Sequence, residues 1–531
     1  MLIKAFNRGF DRFLVWFNAS VIGMILNAIG RFVKQLFADS IIVRAFSSEN
    51  FERIYEKSFI ARFVNWFFGL FSRANAHLSV MAQNSAILSF FKFIISKFNL
   101  TVFLVLLIVF GAAAYFTGIY LIAAAYVAVV FAFIVLCRPE VGIIAVAGLA
   151  PFIPTMAAAG LLGFTLVAFL LQALFGTRYK IKTNRTGLFL IFYIILLIVY
   201  GVNSFAPSSS INIALLWSMF VISYFLVISL IDTKKKFHWA MFIFCTAALF
   251  TGIYGMFQYV SGQFDMTWVD KELFEELGLR VYSTFENPNV YGEYLLLAVP
   301  LTFAMTFHTK RVIGRLYYLL STCVLLCALA LTYSRGCYLA LILAFAVFLF
   351  YVSRRLLAIC AVLMLFVPFA LPASIINRFA SITNLADSST SYRLNIWEGS
   401  LKMISDFWYM GIGHGTEAFN SVYPYYSLNS IVAPHSHNLY LQLTVEMGIW
   451  GLIVFLLVVF SFFNDSVSTI KKQTITSSRV MIAAGIAAVL GFLFQGMFDY
   501  VFYNYRVYLI FFMTLGLLTA YNAIIRREAS S

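Results

Sequence analysis

The chain has 531 residues, of which 62% are hydrophobic and only 11% charged, with a formal net charge of +15. A soluble chain of this length is about a quarter charged and roughly half apolar. A mean hydropathy of +0.90 therefore excludes disorder, a disulfide scaffold and a soluble multidomain enzyme, and leaves an all-α, polytopic membrane protein.

Residues 1–97 read as neither a signal peptide nor a span. Asn18, Ser20 and Asn27 interrupt the apolar run from Phe13 to Ile29, and no clear small-residue cleavage site follows. From Phe59 to Arg73, Arg62, Asn65, Gly69 and Arg73 mark one helical face, with Phe59, Phe63, Trp66, Phe67 and Leu70 opposite. Ala86–Phe98 repeats the pattern with Lys92 and Lys97. Basic, aromatic-rich helices of this kind lie in the headgroup plane of an anionic leaflet. The segment is expected to be a cytoplasmic membrane-surface anchor, with partner docking as the alternative.

A bilayer core about 30 Å thick takes roughly 20 apolar residues per helix. Runs of that kind cover 98–114, 117–136, 141–157, 160–176, 187–205, 211–231, 238–260, 290–307, 315–333, 336–352, 356–372, 439–463, 480–497 and 506–525, which predicts fourteen spans. Residues 98–372 carry the first eleven, interrupted by an outer loop at 261–289. Residues 373–438 form a large, partly helical outer loop, and 439–531 hold the last three spans and a short tail. Nothing alternates with period two, which excludes a transmembrane barrel.

Lys and Arg concentrate in cytoplasmic connections. The basic ones here are Arg178 to Arg185, Lys234 to Lys236, Lys310 to Arg315, Arg354 with Arg355, Lys471 to Arg479, and Arg526 with Arg527. Fourteen spans put all of them on the side of residues 1–97, so both termini are expected in the cytoplasm. The basic residues left facing outward are Lys271, Arg280, Arg335, Arg378, Arg393, Lys402 and Arg506. The cysteines (Cys137, Cys245, Cys323, Cys327, Cys337 and Cys360) fall within spans or at their ends and are expected as small buried hydrophobes.

The second outer loop carries Trp397, Phe407, Trp408, Tyr409 and Phe419, too apolar a set for a disordered linker. Ser389, Thr390 or Ser391 can cap a helix from Tyr392 to about Ile404, with Tyr392, Ile396 and Met403 along one face. His414, His435 and His437 also lie here, and Pro434-His435-Ser436-His437-Asn438 immediately precedes a span. Imidazole suits proton transfer near neutrality, so general acid/base work fits this pair better than a metal. No carboxylate or thiol stands nearby in the sequence to complete a zinc set.

Arg280 leads into Thr284-Phe285-Glu286-Asn287-Pro288-Asn289, Arg335 sits in Tyr333-Ser334-Arg335-Gly336, and Arg393 lies on the loop helix. A guanidinium holds phosphate oxygens with a planar, permanently charged fork. Near the outer headgroup plane these arginines suit a lipid-linked pyrophosphate, although Arg335 and Arg506 equally suit snorkelling to lipid phosphates. Gly411 to Gly415 reads as a tight turn, since it follows no strand and lacks a phosphate-loop lysine. With no nucleotide site in the sequence, a donor must arrive already activated and membrane-bound, and no feature suggests nucleic acid.

Arg280 with Asn287-Pro288-Asn289, Ser334-Arg335-Gly336, Tyr392-Arg393 with Trp397, Gly411 to Gly415, and His435-Ser436-His437-Asn438 with Glu446-Met447-Gly448-Ile449-Trp450-Gly451 resemble the O-antigen ligase and O-antigen polymerase superfamily of bacterial membrane glycosyltransferases. The likeness covers about 275–455 by motif and 98–525 by span layout. It implies transfer of a glycan from an undecaprenyl-pyrophosphate-linked oligosaccharide to a hydroxyl of a glycan or lipid-glycan acceptor. The reaction would take place on the outer face of the bacterial cytoplasmic membrane, without metal or other cofactor, in a surface-polysaccharide polymerase or an O-antigen-type ligase. The resemblance implies that Arg280 and Arg393, with Arg335 beside them, hold the pyrophosphate. It makes His437 the group that activates the acceptor, with His435 as second choice. The alternatives are a lipid-linked glycan transporter or flippase and a non-catalytic envelope-assembly scaffold. Span interiors nearly free of ionisable groups, with no clear internal repeat, favour the enzyme.

Overall fold

The computed structural model describes residues 119–530 except 176–178, 263–279, 365–387 and 475, together with scattered positions between 24 and 74. The described residues form helices and connecting loops, without a β-strand. In chain order the helices are α1 (Ile119–Cys137), α2 (Pro139–Leu149), α3 (Thr155–Phe175), α4 (Arg185–Val202), α5 (Pro207–Leu230), α6 (Lys234–Ser261), α7 (Pro288–His308), α8 (Val312–Leu331), α9 (Arg335–Val352), α10 (Arg354–Met364), α11 (Ser388–Phe407), α12 (Gly415–Val422), α13 (Leu439–Lys472), α14 (Thr476–Gln495) and α15 (Tyr505–Ser530).

Ten of these helices are long and apolar enough to cross a membrane: α3 to α9 and α13 to α15. Each coincides with a predicted apolar run. The fourteen expected spans are not all matched, and the 141–157 run is the clearest departure. Pro151 and Pro154 end α2 after 11 residues, and the chain turns at 150–154 before α3 begins. Proline removes a backbone donor and fixes φ, so an apolar run that contains two of them cannot continue as one helix. The 356–372 run is helical in α10 up to Met364, with its remainder outside the described residues, and the 98–114 run lies wholly outside them. So does most of the amino-terminal segment, although the described positions between 62 and 74 are helical, with Phe63, Trp66 and Leu70 exposed. The cysteines are free thiols. Cys137, Cys245 and Cys337 are buried as expected, whereas Cys323 and Cys327 face outward from α8.

Helices α7, α14 and α15 are the most enclosed. α7 packs between α8 and α14, α9 packs on α14, α5 packs on α15, and α4 packs between α5 and α13. The basic connections gather at one end of this bundle. There Lys234 pairs with Glu528 at 2.5 Å, Arg526 with Asp465 at 2.6 Å, and Arg479 donates to the carbonyl of Tyr351 at 2.9 Å.

The opposite end carries a second, smaller apolar core, within the loop that the sequence predicts to face outward. Ile396 and Met403 of α11, Phe419 and Val422 of α12, Ile412 and Tyr423 form it, with Tyr392 packed against them. The face predicted for the loop helix is thus the face it buries. Ser389, Thr390 and Ser391, expected as caps, instead lie within α11, which is already helical at Ser388.

Candidate active site at the outer-loop end

Helix caps position most of the site. Asn287 accepts from the amides of Asn289 and Val290 and starts α7, and Pro288 takes the first turn, where its missing N–H costs nothing. Asn438 caps α13 in the same way, through the amides of Tyr440 and Leu441. The Asn-Pro-Asn and His-Ser-His-Asn motifs are therefore helix starts that hold a further side chain at a set angle. Asn438 Nδ2 also donates to Met497 O at 2.8 Å, and the Leu439 amide donates to Gly496 O at 2.7 Å. These bonds bind the histidine loop to the short connection between α14 and α15, and that connection carries Asp499.

Asp499 is the residue that sequence reasoning missed. Its Oδ1 lies 3.0 Å from His437 Nδ1, and its Oδ2 lies 3.5 Å from Arg393 Nη2. Asn289 Nδ2 donates to the same Oδ2 at 3.2 Å, and Arg280 Nη2 donates to Asn289 Oδ1 at 2.9 Å. One carboxylate therefore joins groups from three other stretches of chain, with Arg280 behind Asn289. Burial pushes the Asp499 pKa up, but the His437 hydrogen bond and charge, with Arg393 behind them, outweigh it and hold the carboxyl well below its ordinary value.

Because Nδ1 of His437 faces a carboxylate, that nitrogen is the donor, and in the neutral ring Nε2 is the acceptor. The His437 side chain is about one-fifth exposed. Trp397 Nε1 donates to its carbonyl at 3.3 Å, and the Tyr392 ring stands 6.0 Å from its own. His435 differs. It is buried, its Nδ1 accepts the His437 amide at 3.1 Å, and its ring lies against Tyr503 and Tyr500. Burial, then the charge of His437, hold its pKa well below the ordinary imidazole value.

The arginines also separate. Arg393 remains partly exposed, at 26% of its side chain. Arg280 is buried, with Nε donating to Thr332 O at 2.8 Å and Nη2 to Asn289, so it braces the wall behind Asp499. Arg335 is half-buried at the start of α9, three residues beyond the Thr332 that Arg280 holds. Arg506 lies 3.6 Å from Glu286. Among the described residues, six that are not glycine have positive φ, and Ser283, Glu286, Tyr333 and His437 (φ 48°) belong to these loops. Such strain persists only where surroundings over-determine it, and it gathers at working sites.

His435, His437 and Asp499 also place three potential metal-ligand atoms within 4.8 Å of one another. The carboxylate that seemed lacking near the histidine pair thus comes from 62 residues away. A cation there would have to displace the Nδ1 proton of His437 and sit beside the Arg393 guanidinium, so the ion pair and a metal compete for the same oxygens.

A second buried polar group underlies the site. His414 Nδ1 lies 3.3 Å from Glu446 Oε2, and Nε2 lies 2.9 Å from Leu197 O. Glu446 also accepts from the Gly415 amide at 3.2 Å and from Gln442 Nε2 at 2.9 Å, and Gln442 Oε1 accepts the Ser436 amide at 2.8 Å. The glycine turn and the histidine loop are therefore tied to one carboxylate.

Fold and site together define a polytopic, all-helical membrane protein with a histidine, carboxylate and arginine cluster at one end of its bundle. Residues 294–456 match the family model of O-antigen ligase. The match supports the O-antigen ligase and polymerase superfamily, whose work is glycan transfer in surface-polysaccharide assembly. The matched stretch contains Arg335, Arg393, His414, His435, His437 and Glu446; Arg280 and Asp499 fall outside it. No curated protein matches the chain significantly.

Proposed function

We propose that the chain transfers a glycan from an undecaprenyl-pyrophosphate-linked oligosaccharide to an acceptor hydroxyl on the outer face of the cytoplasmic membrane, as a polymerase or an O-antigen-type ligase. The observation that carries this reading is the His437–Asp499 pair with Arg393 at its edge. In the proposed step, His437 Nε2 takes the acceptor's hydroxyl proton. The freed oxygen attacks the anomeric carbon, and the bond from that carbon to the pyrophosphate oxygen breaks. The departing pyrophosphate carries the developing charge. Arg393 meets that charge directly, while Arg280 and Arg335 hold the surrounding loops and add positive potential. Such a leaving group needs little general acid, so one base suffices. Its positioned proton transfer is worth about 10²–10⁴-fold.

His435 serves this step by fixing the His437 backbone, a positioning role supported by its burial and its occupied Nδ1. No cation takes part in the proposed step, since Arg393 and the Nδ1 proton already balance Asp499. His437→Ala and Arg393→Ala should each abolish polymer formation or ligation, by at least about 100-fold, while the protein still inserts into the membrane normally. The purified enzyme should keep its activity in EDTA. Full product from both variants would sink the transfer reading, and loss of activity in EDTA would replace the arginine and histidine chemistry with a metal's.

A further inference from the structure

Toward the basic end of the bundle, a cavity of about 510 Å³ lies between α7, α8, α9 and α10. Phe303, Leu319, Leu326, Phe345 and Phe348 line three sides of it, and α10 lines the fourth with Leu357, Cys360, Ala361 and Met364. Those four residues recur at i, i+3, i+4 and i+7, so they form a single stripe along the helix. No residue of α10 is buried. The stripe is an apolar face that lacks a packing partner among the described residues.

Packed helices fill space at nearly crystalline density, so a space of this size has an occupant. Water needs two to four polar partners, and these walls do not supply them. Thr322 is the one hydroxyl, and its Oγ1 already donates to Tyr318 O at 2.8 Å. Hydrocarbon fits such walls. The charge at the same end names the rest of the ligand. Lys310, Arg311 and Arg315 surround the start of α8, and Arg354 with Arg355 open α10. The sequence has no acidic residue between Glu293 and Asp387, so none of its own carboxylates interrupts this stretch. Arg354 Cζ stands 5.1 Å from the centre of the Phe350 ring, one turn before the α10 stripe begins. A hydrocarbon chain that ends in an anionic headgroup is complementary to both the walls and the arginines.

We propose that this cavity holds one acyl chain of an anionic phospholipid from the leaflet at the basic end, with the lipid phosphate beside Arg354 and Arg355. The chain supplies the partner that the α10 stripe lacks and fastens α10 to α7 and α8. The site stands at the other end of the bundle from the histidine cluster and does not depend on the transfer reading.

The test uses the full chain, delipidated in detergent and offered phosphatidylglycerol and phosphatidylcholine that share the same dioleoyl chains, with retained lipid counted by native mass spectrometry. One phosphatidylglycerol should be held per chain, with at least a tenfold preference over phosphatidylcholine, and it should raise the melting temperature. Ala361→Trp fills the cavity from an exposed position and should hold none, while its lipid-free melting temperature matches the parent's. Arg354→Glu with Arg355→Glu, also at exposed positions, should leave the cavity intact and abolish the preference between the two headgroups. A parent chain that retains no phospholipid, or retains both equally, would overturn the proposal. So would phosphatidylglycerol that survives Ala361→Trp. Displacement by an equal concentration of undecaprenyl phosphate would overturn it too, by making the groove a polyprenyl site.

Discussion

Asp499 shows how much one side chain can decide. Its two oxygens divide the site: Oδ1 orients the imidazole of His437, and Oδ2 holds the guanidinium of Arg393 and the amide of Asn289. Asp499→Asn keeps the shape but offers His437 an amide donor, which favours the tautomer with the proton on Nε2 and removes the base. Transfer should fall by about 10²–10⁴-fold with little change in fold, measured as product per unit of inserted protein. The same group sets part of the pH response. A carboxyl held below its ordinary value of 3.8 contributes stability that is complete above that value and is lost only in stronger acid. His435 has the opposite consequence. Its folded pKa lies below the ordinary 6.5, so below pH 6.5 the unfolded chain binds the proton that the folded chain refuses. Stability should therefore decline as pH falls from 6.5, by at most about 1.4 kcal/mol per pH unit. His435→Asn should flatten that slope in thermal melts.

At the level of elements, the break in α13 organises the loop above it. Met447 and Gly448 leave helical geometry, with Gly448 at φ 59°. The carbonyls of Val445 and Glu446 accept the amides of Ile412 and Gly413 at 2.9 and 3.1 Å, and the Ile449 amide donates to Trp408 O at 2.7 Å. The glycine turn is thus docked into a gap in a membrane helix, and the gap exposes the backbone groups the turn requires. A Cβ on Gly448 would lie 2.8 Å from Trp408 O in a backbone conformation that side chains rarely adopt. Gly448→Ala should cost about 1–3 kcal/mol. It should also loosen the His414–Glu446 contact beneath the histidine loop, so both melting temperature and activity should drop. An unchanged melting temperature would show that the turn tolerates the break without glycine.

The whole molecule separates its charge by end. Lysines and arginines gather where α5 to α10 and α13 to α15 meet at 230–238, 308–315, 351–355, 471–479 and 526–528, while the histidine cluster occupies the other end. We propose, from the positive-inside rule, that the histidine end faces outward. A cysteine at exposed position 420 should react with an impermeant maleimide on intact cells, and one at exposed position 235 should react only after lysis. The reverse labelling would turn the protein over and leave the proposed chemistry on the wrong face.

Hydropathy and the period of the apolar runs were enough to read the all-helical class, ten of the spans and the loop helix with its buried face, whereas the Asn caps that open α7 and α13 emerged only from the structure. The features read in advance are local matters, decided by burial of one face. His437 and Arg393 stood out in the sequence because they sit in aromatic loops near span boundaries, and the structure brings both to one carboxylate. The pairing with Asp499 was not legible. Its carboxylate lies in a short loop 62 residues from His437 and 106 from Arg393, and no spacing rule links them. The packing of α14 against α7 and α9, with the bonds from Asn438 and Leu439 to Met497 and Gly496, brings that loop to the histidines. The same long-range packing set Arg280 to bracing rather than open solvent and made His435 a buried neighbour of His437. Local chemistry determined which side chains were available, and contacts between distant segments decided which of them meet.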